Sequence, residues 1–356
     1  MALYPLSVLY GLGVYIRNKL FDLGVLKSYS PEIHTIGVGN LSVGGAGKTP
    51  MVQYLVKLLM GENIKTATLS RGYKRKTKGF ILATENSTAD EIGDEPLIYN
   101  TNYNIPVAVD ANRINGVKKL AALENPPHTV VLDDVFQHRW IKCGFNILVT
   151  EYNNPYFSDK LLPLGTLREP ISNRWRADVI VVTKTPENTK PIELRNFIKD
   201  ISPLIHQRVF FSYLKYGTLY NAFDNSRKIK VESELYKYQI VLITGIANPK
   251  PMVVYLKEFA NEVFHFPFDD HHEFLPKEVT DMQRFYDQIQ SENKLIITTE
   301  KDFMRLKSDK LFPIVSKMNL YILPVEITFK ENEEEFNEVI LKYVRTNRFY
   351  HHKYSN

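Results

Sequence analysis

The stretch Ile36-Gly-Val-Gly-Asn-Leu-Ser-Val-Gly-Gly-Ala-Gly-Lys-Thr-Pro50 decides the fold. An apolar run breaks into glycines, reaches Lys48 and Thr49, and continues as the amphipathic segment Met51 to Met60. That succession reads as a strand, a phosphate-cradling loop and a helix N-terminus. The loop glycines Gly44, Gly45 and Gly47 let backbone N–H groups turn toward a polyphosphate. The helix dipole adds positive potential at the same spot. Gly44, Gly45, Ala46, Gly47, Lys48, Thr49 and Pro50 are therefore the expected nucleotide site, with Lys48 on the β/γ-phosphates and the Thr49 hydroxyl on Mg²⁺. The usual first glycine of such a loop falls on Ser42. An ordinary Gly-rich turn would leave Lys48 unexplained, because a cation at a helix start opposes the dipole.

Outward from this stretch, short β-branched runs alternate with helical segments. Thr35–Val38, Thr66–Ser70, Val107–Asp110, Val130–Asp133, Asn146–Thr150 and Val179–Thr183 suit parallel strands buried on both faces. A second series follows at Val209–Tyr213, Ile240–Thr244, Val263–Phe266, Leu295–Thr298 and Leu320–Pro324. The expected fold is α/β: a P-loop NTPase-like, mostly parallel sheet domain, a second, smaller α/β domain and an N-terminal amphipathic helix. The expected division is 1–26 for the helix, 27–205 and 206–345 for the two domains, and 346–356 for a loose tail, with a boundary as early as 150 left open.

The chain has 356 residues, 44% of them hydrophobic and 24% charged, which is the balance of a globular protein able to bury two cores. A net charge of +5 is compatible with an anionic substrate or membrane surface, and no nucleic-acid motif accompanies it. Cys143 is the single cysteine, which excludes an internal disulfide and suits a reducing cytoplasm. The apolar N-terminal run is too short to span a bilayer and lacks signal-peptide flanks. As a helix it aligns Leu6, Leu9, Tyr10, Gly13, Ile16, Leu20 and Phe21, a stripe for a membrane interface or for the protein's own core.

Val130-Val-Leu-Asp-Asp-Val-Phe-Gln-His138 ends an apolar strand in two carboxylates. Asp133 is the expected Mg²⁺ aspartate, with Asp134 behind it or orienting the acceptor. Ser70-Arg-Gly-Tyr73 follows a strand at a ligand-binding edge, where Arg71 suits a phosphate, or belongs to a solvated basic loop. In Gly93-Asp-Glu-Pro96, Asp94 is either a helix N-cap or a general base. Arg113 follows another strand, where it could meet an anion. Arg168 and Glu169 stand on a proline-bounded loop. In Phe266-Pro-Phe-Asp-Asp-His-His-Glu-Phe274 a metal site lacks a third cluster, and a His–Asp pair tuning a base is the sharper reading. Thr298-Thr-Glu-Lys-Asp302 reads as a structural turn.

Together these motifs resemble the tetraacyldisaccharide 4′-kinases, the lipid A 4′-kinases of Gram-negative bacteria. The resemblance runs to about residue 306. It includes Leu162-Pro-Leu-Gly-Thr-Leu-Arg-Glu-Pro170, Thr244-Gly-Ile-Ala-Asn-Pro249, Asp270-His271 and Thr299-Glu-Lys-Asp302 besides the motifs above. Two positions depart from it: Val135 stands where the family has glycine, and Thr166 where it has proline. The resemblance implies ATP and Mg²⁺ as cofactors and a lipid-linked disaccharide 1-phosphate as acceptor. It implies a peripheral protein on the cytoplasmic face of the inner membrane, with no obligate protein partner. By motif, Lys48, Asp94, Asp134 and His271 become catalytic, and Asp94 becomes the base tuned by His271. Thr49, Asp133 and Glu169 become metal ligands, and Arg71, Tyr73, Arg113, His138 and Arg168 become substrate contacts. The competing expectations are a P-loop NTPase that switches a protein partner by hydrolysis, and a nucleotide-binding membrane scaffold.

Overall fold

The computed structural model describes residues 3–346; the expected tail falls almost wholly outside them. The strand that opens the decisive stretch, β1 (His34–Gly39), is buried along its length and lies in the middle of a nine-stranded sheet. Its companions are β2 (Thr66–Ser70), β3 (Ile81–Leu82), β4 (Val107–Val109), β5 (Thr129–Asp133), β6 (Phe145–Glu151), β7 (Val179–Thr183) and β8 (Arg208–Tyr216). The chain then builds a six-stranded sheet from β9 (Leu219–Asn221), β10 (Lys228–Ile229), β11 (Gln239–Thr244), β12 (Glu262–Pro267), β13 (Lys294–Thr299) and β14 (Leu320–Leu323). It returns to the first sheet as β15 (Val325–Phe329), antiparallel to β8.

The first sheet runs β15-β8-β7-β6-β1-β5-β2-β4-β3 and the second β10-β9-β14-β13-β11-β12. In the first, β7, β6, β1, β5, β2 and β4 are parallel, which explains their unbroken apolar character. Helix α2 (Lys48–Gly61) turns its Met51, Val52, Leu55, Val56 and Leu59 face onto this sheet. The C-terminal helix Glu333–Arg345 buries Phe336, Ile340 and Val344 in the same core.

The expected division at residue 205 is corrected by this topology. β8 pairs in parallel with β7, and β15 and the last helix also belong to the first unit. The second unit is an excursion between β8 and β15. Pattern could not reveal it, because a strand's sequence does not say which sheet it joins.

Helix α1 (Tyr4–Asp22) also differs from expectation. Its packed face is Ser7, Gly11, Asn18 and Phe21, while Leu6, Leu9 and Ile16 point outward with Tyr4, Leu12 and Tyr15. Polar bonds hold it: Ser7 Oγ donates to Leu161 O at 2.8 Å, the Tyr10 hydroxyl to Arg168 O at 2.9 Å, and Arg17 to Gln137 O at 2.8 Å. A Cβ at Gly11 would come within 2.8 Å of the Leu161 Cδ1 methyl, so the helix packs closely there and a larger residue would have to displace that side chain. No helix among the described residues is long and apolar enough to cross a membrane.

Candidate active site

The register of β1 and β5 sets Val38 opposite Asp133. The loop after β1 and the carboxylates after β5 therefore leave the sheet side by side, at the C-terminal edge where the strand order reverses. Gly44 and Gly47 take φ of 114° and 84°, which only glycine adopts without strain, and α2 begins at once with Lys48. Behind the loop, Thr183 Oγ1 donates to Ala46 O at 2.8 Å and Lys184 Nζ to Gly45 O at 2.7 Å. Pro50 lies in the first turn of α2.

Lys48 Nζ donates to Asn40 Oδ1 at 3.1 Å and stands 3.6 Å from Asp134 Oδ1. Arg168 grips both oxygens of Asp134, at 3.0 and 3.2 Å. Burial opposes charge on Asp134, but Lys48 and Arg168 outweigh it and bring its carboxyl down to about 2. Arg168, expected on the substrate, is thus engaged within the loop's own frame.

Asp133 is fully enclosed. Burial first, and the neighbouring Asp134 charge second, push its carboxyl up to about 6. Its Oδ2 accepts from the Tyr99 hydroxyl at 3.0 Å, and its Oδ1 is buried with no hydrogen-bond partner. A buried carboxylate oxygen without a donor, beside the Thr49 loop, fits a cation's needs. Glu169 shares this feature at one oxygen, since its Oε1 is also buried with no hydrogen-bond partner. Its Oε2 accepts from Arg176 at 2.6 Å, Asn173 at 2.9 Å and Asn18 of α1 at 3.1 Å. Through Oε2 Glu169 fastens α1 to the core, and the role expected for it at a metal is left to Oε1. Among the described residues no cluster of three acidic, histidine or cysteine side chains could hold a metal by itself.

Asp94 is the first residue of the helix Asp94–Asn102, whose N-cap is Gly93, so the capping alternative falls away. Its Oδ2 receives His271 Nδ1 at 2.9 Å and Arg305 Nε at 2.8 Å. Burial acts against its charge, but His271 and Arg305 hold its carboxyl below the usual range. The helix carrying Asp94 and Tyr99 belongs to the first unit, whereas His271 and Arg305 belong to the second. The two units meet at this carboxylate. Tyr73 is exposed and turns its ring edge to His271, with centroids 5.2 Å apart.

Arg113 is buried. Its guanidinium donates to Asp110 O and Ala111 O, both at 3.2 Å, and its Nε lacks a partner. Burial brings it down to about 10. His138 lies beside Arg113, Arg17 and Arg71, and burial and their charges lower its imidazole to about 4. Its Nε2 is buried and unpartnered. Arg71 is exposed at the mouth of this cluster. Sequence reading missed Asn40, Tyr99, Lys301, Arg305 and Arg17. Asn40 sits inside the decisive stretch, and Arg305 follows Lys301 by one helical turn; nothing local marked Tyr99.

With this geometry in hand, the family profile described as tetraacyldisaccharide-1-P 4′-kinase matches residues 1–345. The chain belongs to the tetraacyldisaccharide 4′-kinase family. A tetraacyldisaccharide 4′-kinase of Bacteroides thetaiotaomicron is 41% identical across 97% of this chain and 93% of its own. One of Flavobacterium johnsoniae is 43% identical across 97% of both chains. A crystal structure of LpxK from Aquifex aeolicus, described as an "apo" form in complex with ATP, matches with a TM-score of 0.74. It is 29% identical and covers 96% of this chain and 98% of the other. Every relative named here is a kinase or carries ATP, and the hydrolytic-switch alternative finds no support.

The two departures from the family pattern are both accommodated. The residue after β5 in the left-handed region is Asp134, with φ of 47°, so the usual glycine one place later is not needed for that turn. Val135 is buried among Leu132, Ala67 and Ile141. Thr166 donates its backbone N–H and its hydroxyl to Asp159.

Proposed function

We propose that this chain transfers the γ-phosphate of ATP to the 4′-hydroxyl of a tetraacylated glucosamine disaccharide 1-phosphate, a step of lipid A biosynthesis. One observation carries the reading. A single short helix presents Tyr99 to the enclosed Asp133 and Asp94 to His271, so the phosphate loop's aspartate and a base across the cleft share one rigid support. A switch has no use for the second carboxylate.

The backbone N–H groups of the loop and of the first turn of α2 bind the phosphates, and Lys48 places a point charge among them. Thr49 and Asp133 would hold Mg²⁺, which would supply charge neutralisation at the phosphate oxygens. Asp94 accepts the proton of the acceptor hydroxyl as that oxygen bonds to the γ-phosphorus and the bond to ADP breaks. Asp134 and Arg168 keep Lys48 and Asn40 in register. The arginines around His138 suit the anionic groups of the acceptor.

The outward face of α1 supports a peripheral position on a membrane. Leu9 is 65% exposed and Tyr4 63%, an apolar surface whose removal from water would be favourable. The face is assigned to the cytoplasmic leaflet of the inner membrane, and the scheme requires no protein partner. Incubation with labelled ATP and the disaccharide 1-phosphate should yield a bis-phosphate. Phosphate release that is indifferent to the acceptor would overturn the reading.

A further inference from the structure

The Thr299-Glu-Lys-Asp302 segment, read from sequence as a structural turn, opens the helix Glu300–Leu306. Thr299 Oγ1 caps it by accepting from Asp302 N at 3.0 Å. Lys301 and Arg305 are four residues apart and so share one face. That face meets the start of the helix Asp94–Asn102, with His271 between. His271 itself sits at φ of 62°, in the left-handed region that few non-glycine residues adopt.

The contacts around the ring are specific. Lys301 Nζ is 2.9 Å from His271 Nε2, 3.0 Å from Asp270 Oδ1 and 3.5 Å from Glu95 Oε1. An ammonium between two carboxylates can only donate to a ring nitrogen. Nε2 is then the acceptor, and the ring hydrogen is on Nδ1, facing Asp94. Arg305 Nη2 lies 3.4 Å from Nδ1 but 2.8 Å from Asp94 Oδ2, so its hydrogen goes to the oxygen. Among the described residues, the hydrogen bonds and ion pairs of Asp94 gather on Oδ2. A carboxylate so loaded on one oxygen cannot swivel, and the other oxygen has the free lone pairs.

We propose that Lys301 and Arg305 are positioning residues for the phosphoryl transfer: Lys301 fixes His271 as an Nδ1–H donor, and His271 with Arg305 occupies Asp94 Oδ2 so that Oδ1 takes the acceptor proton. This rests on the reading of Asp94 as the base. The hydroxyl proton moves to Oδ1, the hydroxyl oxygen bonds to the γ-phosphorus, and the bonding pair of the cleaved P–O bond leaves with ADP. Because both positioning residues belong to the second unit, that unit sets the orientation of a base carried by the first.

The groups facing the His271 ring are Asp94 and Glu95 from one helix, Lys301 and Arg305 from the other, Asp270 beside it and Tyr73 over its edge. Lys301→Met removes the donor that keeps the ring hydrogen off Nε2. The ring can then carry its hydrogen on Nε2 and no longer donates to Asp94. We expect kcat to fall about ten- to hundredfold with ATP affinity unchanged. Lys301→Arg should restore part of the rate. Wild-type kcat in a folded Lys301→Met protein would overturn the proposal. Nitrogen-15 NMR of the histidine-labelled wild type, which needs neither variant nor turnover, should place the His271 hydrogen on Nδ1; an Nε2–H ring would overturn it equally. Failure of the wild type to phosphorylate the disaccharide 1-phosphate would instead count against the functional reading.

Discussion

Tyr99 donates its hydroxyl to Asp133 Oδ2 at 3.0 Å, inside the protein and away from solvent. The bond steadies one oxygen of the carboxylate and leaves Oδ1 for a cation. Asp133→Ala should therefore raise the Mg²⁺ concentration needed for half-maximal rate, and excess Mg²⁺ should restore part of the activity. Tyr99→Phe should do the same more mildly, because the acid remains but loses its orientation. Kinetic titration with Mg²⁺ decides this; an unchanged requirement in Asp133→Ala would remove it from the metal site.

Lys48→Ala takes away a preorganised charge at the transferring phosphate. Loss of one such interaction costs about 3 kcal/mol, a hundredfold or more in rate. The fold should persist, since Lys48 is only partly buried and its partners Asn40 and Asp134 keep Arg168. Turnover at the wild-type level would dismiss the phosphate loop as the reaction centre.

Asp94→Ala should lower kcat, with little effect on ATP binding and no rescue by Mg²⁺. General-base loss is typically worth roughly 10²–10⁴-fold. The same carboxylate carries a pH signature in stability. Its folded value lies below its unfolded one, so its ionised form favours folding. That contribution is complete above the ordinary carboxylate value of about 3.9 and disappears as pH falls through the depressed folded value. Asp94→Asn should thus be less stable than wild type near neutrality, with the difference closing in strong acid. Urea unfolding at both pH values measures it.

Glu169 and Arg176 form a buried ion pair shared with Asn173 and α1. Breaking such a pair from one side leaves an uncompensated charge and costs roughly 3–5 kcal/mol. Glu169→Ala should lower the midpoint of thermal unfolding and loosen α1, without altering the Mg²⁺ requirement of the protein that remains folded. A stable variant with a raised Mg²⁺ requirement would make Glu169 a metal ligand through its other oxygen, Oε1, which is buried without a partner.

The membrane face of α1 is best tested by substitution on its outward side. Deleting the helix would also strip Ser7, Tyr10, Arg17 and Asn18 from their partners. Leu9→Glu with Ile16→Glu should weaken sedimentation with anionic vesicles while ATP binding and thermal stability stay near wild type. Unaltered sedimentation would leave α1 a purely structural element.

The sequence by itself determined the elements whose signals are local. Glycines and a lysine between a strand and a helix read as a phosphate loop, and paired aspartates after an apolar run read as a strand end at a sheet edge. The tertiary structure alone decided which sheet each strand joins, because β8 and β15 carry the same pattern as the strands of the second unit yet pair with β7 and with each other. It also decided the fate of the charges. Arg168 and Glu169 are neighbours in the chain, but one faces Asp134 at the site and the other lies among Arg176, Asn173 and Asn18 in the core. Spacing along a chain says which side chains share a face; which of them finds a buried partner depends on contacts made by folding, some of them, such as Glu169 with Asn18, far apart in sequence. Arg305 meets Asp94, and Lys301 meets His271 and Glu95, so a segment that read as a turn packs against the proposed base.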